Sequence, residues 1–65
     1  MKIQINGEMQ QVECNTLHEL LEHLGHGPSS VATAVNQEFV PISEREQFRL
    51  STDDSVDIIA PMSGG

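Results

Sequence analysis

The last five residues of this 65-residue chain are Pro61-Met62-Ser63-Gly64-Gly65, and they hold its most accessible chemistry. An α-carboxyl group titrates near pH 3.3 to 3.7, so the Gly65 carboxylate is ionised at neutral pH and is able to attack a phosphorus of ATP. Adenylation turns a poor leaving oxygen into a good one, and an attacking sulfur then forms an acyl–sulfur species. Neither step needs a base from this chain, because an activating enzyme can supply the electrostatics. Gly64 and Gly65 lack Cβ atoms and suit a narrow channel. Fully extended, residues 60 to 65 reach about 20 Å, enough to carry a carboxylate into a site inside a partner. With glycine near 7% of residues, two in a row at a terminus arise by chance about once in 200 chains, so the pair calls for more than fraying as an explanation.

Other reactive side chains are less promising. His18-Glu19-Leu20-Leu21-Glu22-His23 superficially resembles a zinc-protease helix, but that motif needs its histidines at i and i+4. Here they are five apart, about 140° around a helix, and cannot clasp one metal. Gly25 separates His23 from His26, so solvated histidines and no metal site are expected. Cys14 precedes the predicted helix beside Glu13, where a thiolate is disfavoured, and reads as a small filler. Ile59 and Met62 sit near the tail as exposed apolar groups suited to a docking surface.

Composition narrows the classes further. Ten acidic residues against three basic ones give a net charge of −7, so Lys2, Arg45 and Arg49 are all the chain has for phosphate backbones. Nucleic acid and anionic membranes are disfavoured as partners, while a basic protein surface is favoured. With no Trp or Tyr and only Phe39 and Phe48, the core must be aliphatic, and an aromatic-lined substrate pocket is hard to build. One cysteine permits no internal disulfide, and no stretch is apolar enough for a leader or a membrane span, so a cytoplasmic monomer is expected.

The elements that must position the tail can be read from period and punctuation. Ile3 and Ile5 alternate with polar residues as in a half-buried strand, Asn6-Gly7 fits a two-residue hairpin turn, and 9 to 13 returns with Val12 inward. Thr16 through Glu19 fits a capping box, followed by Leu17, Leu20, Leu21 and Leu24 on one helix face and Gly25 as terminator. Residues 31 to 35 read as a strand whose buried face the pattern leaves open. Asn36-Gln37 is a turn, and Glu38-Phe39-Val40 returns before Pro41. Residues 42 to 47 read as a charged connector, 48 to 50 as a short strand and 53 to 55 as a turn. The final strand, 56 to 60, places Val56 and Ile58 on one face and Ile59 on the other. One helix across one face of a small sheet is an α+β arrangement.

The opening strand with Asn6-Gly7, the helix start Thr16 to Leu21, the Val35-Asn36 to Val40-Pro41 hairpin, the acidic turn before Val56 and the terminal Gly64-Gly65 together resemble the ThiS family of sulfur carriers. The resemblance covers essentially the whole chain. Two positions depart from the family pattern: Ile42 stands where a basic residue often follows the proline, and Asp53-Asp54 replaces a Gly-Asp turn. The resemblance implies a ubiquitin-like β-grasp fold: residues 1–60 as the domain, with a mixed four- to five-stranded sheet and one main helix, and residues 61–65 as a flexible tail. It implies that an ATP-using, ThiF-like enzyme adenylates Gly65 and that sulfur from a cysteine-desulfurase-derived donor makes a thiocarboxylate. A ThiG-like thiazole synthase then takes the sulfur for thiamin. Met62, Ser63 and Gly64 would enter the partners' active sites, and Ile59 would border the docking surface. The chain would be a carrier and an enzyme's substrate, with ATP used by the enzyme and no resident cofactor. The tail is also similar to that of the small subunit of molybdopterin synthase. A protein modifier joined to lysines, and a purely non-covalent domain, remain as alternatives.

Overall fold

A computed structural model describes residues 1–27 and 30–60. Strands β1 (Lys2–Ile5) and β2 (Glu8–Gln11) form the first hairpin. Its turn places Asn6 and Gly7 at φ 51° and 86°, the paired left-handed geometry that matches the twist of two-residue hairpins. Strand β2 is shorter than the expected 9 to 13 return, but Val12 beyond it is buried as anticipated. Strands β3 (Ala32–Val35) and β4 (Glu38–Val40) form a second hairpin through Asn36 and Gln37, both also left-handed.

Helix α1 (Leu17–Leu24) begins and ends where the sequence predicts. The Glu19 amide donates to Thr16 Oγ1 at 3.2 Å, while the Glu19 carboxylate accepts the Thr16 hydroxyl rather than its backbone amide. Two further amides of the first turn find carbonyls in residues 45 to 48: Leu17 N–H to Phe48 and His18 N–H to Arg45. These are the donors that a helix start otherwise leaves without partners. At the far end Gly25 adopts φ 82°, its amide reaching Glu22 and that of His26 reaching Leu21. Those two bonds make a Schellman stop, a conformation costly for any residue with a Cβ.

The last strand, β5 (Ser55–Ile59), inserts between the two hairpins, giving the order β2-β1-β5-β3-β4. It runs parallel to β1, with Ile5 opposite Val56, and antiparallel to β3, with Val35 opposite Val56. The helix packs on one face of this mixed five-stranded sheet. Ile3, Ile5, Val35, Val40 and Val56 meet Leu17 and Leu20 there, with Val12 and Leu50 closing the sides. Leu21 is buried too, and Leu24 packs half-buried against the cluster.

Two expectations need correction. Arg45 is not one of the cations available to a phosphate backbone: within the charged connector Ile42–Glu44 forms a 3₁₀ turn, and the next residue, Arg45, is only 2% exposed. Its Nη2 donates to the Val31 carbonyl at 2.7 Å and its Nε to Thr33 Oγ1 at 3.2 Å. This cation is part of the core's edge and is not available to an external phosphate. Residues 48 to 50 are not a strand; their sheet-like pairing is one bridge between Thr16 and Arg49. The open question of residues 31 to 35 resolves with Val31, Thr33 and Val35 inward, because Thr33 finds a buried acceptor in the Val40 carbonyl at 3.0 Å.

Candidate functional site

The exit of β5 is the part of the fold that positions the tail. β5 is hydrogen-bonded on both sides, and its register is pinned by the Asn6 side chain, whose Oδ1 accepts the Ile58 amide at 2.8 Å. Alternation along the strand then fixes each side chain. Val56 is fully buried and Ile58 packs beneath the helix, whereas Ile59 is 59% exposed on the opposite, open face. Ala60 follows directly, also exposed. Met62, Ser63, Gly64 and Gly65 lie outside the described residues.

Around Ile59 the open face is largely apolar. Ile59 stands opposite Ala32, and in the neighbouring row Asp57 stands opposite Ala34, which stands opposite Phe39. Opposed residues in a ladder share a face, so these side chains form one surface. Phe39, at 69% exposed, is its most prominent member. Sequence reasoning placed Ile59 on this surface but gave Phe39 no role. The signal was present: Val40 must turn inward before Pro41, and strand alternation then turns Phe39 outward.

The remaining candidates are arranged differently. Cys14 is half-buried above a shallow depression of about 560 Å³, lined by Glu13, Glu19, Glu22 and His23 among others. Burial, and then the Glu19 carboxylate, push its thiol above the usual range, opposed in part by a backbone hydrogen bond from Glu13. That environment disfavours the nucleophilic thiolate. His18 Nε2 pairs with Glu22 at 3.5 Å along the helix, the i,i+4 neighbour, and not with another histidine. No group of three metal-ligating side chains converges among the described residues. No helix among them is long and apolar enough to cross a membrane.

Known proteins resemble this chain throughout its length. The curated sulfur carrier protein ThiS of Escherichia coli K12 is 33% identical over 66 aligned positions, covering all of both chains. The crystal structure of a thiamine biosynthesis protein (ThiS) from Geobacter metallireducens superimposes with a TM-score of 0.85 at 23% identity, covering all of both chains. A solution structure of a thiamine biosynthesis protein from the same organism gives 0.81 at 23% identity, covering all of this chain and 88% of the other. These likenesses make the sheet-and-helix arrangement a ubiquitin-like β-grasp fold. The ThiS family model matches residues 3–65, which spans the fold, the β5 exit and the glycine pair: the chain belongs to the ThiS family.

Proposed function

We propose that this chain carries sulfur for thiamin biosynthesis as a thiocarboxylate on Gly65. The observation that carries the reading is the family match, which extends through Gly64 and Gly65. In the proposed cycle the Gly65 carboxylate attacks the α-phosphorus of ATP in a ThiF-like adenylating enzyme and expels pyrophosphate. The terminal sulfur of a persulfide donor, itself charged by a cysteine desulfurase, then attacks the acyl carbon and expels AMP. A second thiol attacks the donor's own sulfur in the resulting acyl disulfide, forming a disulfide with the donor and releasing the thiocarboxylate. A ThiG-like thiazole synthase accepts that sulfur. The chain itself catalyses nothing in this scheme; it is a substrate presented by a fold, and its work is cytoplasmic. In this reading Met62, Ser63 and Gly64 enter the partners' active sites ahead of the Gly65 carboxylate.

Intact mass spectrometry tests the proposal. Incubation with the cognate adenylating enzyme, ATP and a sulfur source should raise the mass by the difference between a sulfur and an oxygen atom. Deleting Gly65, or extending the chain past it, should abolish the gain, while Cys14→Ser should retain it. Loss of the gain in a folded Cys14→Ser protein would overturn the assignment in favour of an internal relay. A lysine-linked conjugate without a thiocarboxylate would make the chain a protein modifier instead.

A further inference from the structure

The open face of the sheet carries one charge where its apolar surface is broadest. Asp57 is half-buried in the cross-strand row with Ala34 and Phe39, and Ile59 is two residues along the same strand and face. Among the described residues no ion pair reaches Asp57. A carboxylate so placed remains hydrated while the face is open. When a partner covers Phe39 and Ile59, that carboxylate loses its water, and an unpaired buried charge is strongly unfavourable.

We propose that this face docks a protein partner presenting an arginine set among apolar side chains, with Asp57 as the residue that receives it. Three features favour arginine. Its planar fork binds a carboxylate bidentately, it is more weakly hydrated than lysine, and it stacks on an aromatic ring such as exposed Phe39. The net charge of −7 draws a basic surface toward the chain before contact, so that charge complementarity acts in approach as well as in the seated complex. Asp57 lies only two residues before Ile59, so the same strand that delivers the tail delivers the recognition charge.

The inference rests on the carrier reading, and the test separates the two. Affinity of the full-length chain for its cognate adenylating enzyme is measured by titration, with amide spectra confirming that each variant is folded. Asp57→Asn should weaken binding by at least about 30-fold, as expected when one partner of a desolvated charge pair is removed. Phe39→Ala should weaken it as well. Glu46→Gln removes the same charge from the helix side of the molecule and should change affinity by less than about 3-fold. If Asp57→Asn binds as tightly as the parent, or Glu46→Gln weakens binding equally, the Asp57 contact is overturned while the carrier reading stands. If the parent chain itself does not bind, the docking proposal falls, while the carrier reading stands or falls separately on the intact-mass gain.

Discussion

Arg45→Ala should destabilise this small domain more than most single substitutions of a charged residue. The guanidinium ties the connector to Val31 and β3 and, through Thr33, to β4. It donates to the Val31 carbonyl at 2.7 Å and to Thr33 Oγ1 at 3.2 Å, and Thr33 in turn donates to the Val40 carbonyl at 3.0 Å. Its own carbonyl accepts from the His18 amide in the first turn of α1. A hydrogen bond to a charged group contributes about 1.5 to 3 kcal/mol, so losing two of them costs about 3 kcal/mol or more. A domain of this length holds on the order of 3 to 10 kcal/mol in total. With a urea slope of about 1 kcal/mol per molar, the midpoint should fall by about 3 M. Urea titration followed by far-ultraviolet circular dichroism reads this directly. Arg45→Lys keeps the charge but lacks the fork and should fall between the two. Combining Arg45→Ala with Thr33→Val should cost less than the sum of the singles, because both remove the same contact. A midpoint for Arg45→Ala within about 0.5 M of the parent would refute the reasoning, since that shift amounts to less than one ordinary hydrogen bond.

Two further outcomes follow from the core and from Cys14. Leu21→Ala should cost about 2 to 5 kcal/mol by thermal denaturation, because the side chain is buried where the helix meets the connector; an unchanged melting temperature would contradict that packing. Burial first and the Glu19 carboxylate second raise the Cys14 thiol above its usual range, so Glu19→Gln should lower the thiol pKa in part and move the alkylation-rate profile toward lower pH. Mass-spectrometric rates with iodoacetamide across pH would check the sign, and an unmoved or upward-moved profile would refute it.

Much of the fold was legible because local signals agreed with one another. Asn6-Gly7, the Thr16 cap, the leucine spacing and the Gly25 stop each specify geometry through their own neighbours, and the structure contains all of them. The turn at Asp53 was equally local, with φ 71° at that residue. What failed depended on contacts distant in sequence. A run of Ser43-Glu44-Arg45-Glu46 looks hydrated, and nothing nearby reveals that Arg45 finds acceptors on residues 31 and 33. The same bonds decide which face of residues 31 to 35 is buried, which explains why one ambiguity and one error share a cause. Of the candidate site, the outward direction of Ile59 was legible from alternation. The outward turn of Phe39 was legible in the same way, but its place in one row with Asp57 was not, because that row exists only after β5 inserts beside β3.

That insertion also determines how the molecule bears load. Strands β1 and β5 lie side by side and point the same way. A pull on the chain beyond Ile59, resisted at the amino-terminal end, therefore slides one strand along the other and does not peel them apart. The bonds from Gln4 to Asp54 and from Asn6 to Val56, together with that from Ile58 to the Asn6 side chain, are stretched at once and not in succession. β5 is braced in the same way from its other side by β3. Any pull applied beyond Ile59 thus works against a shear clamp before it can open the domain.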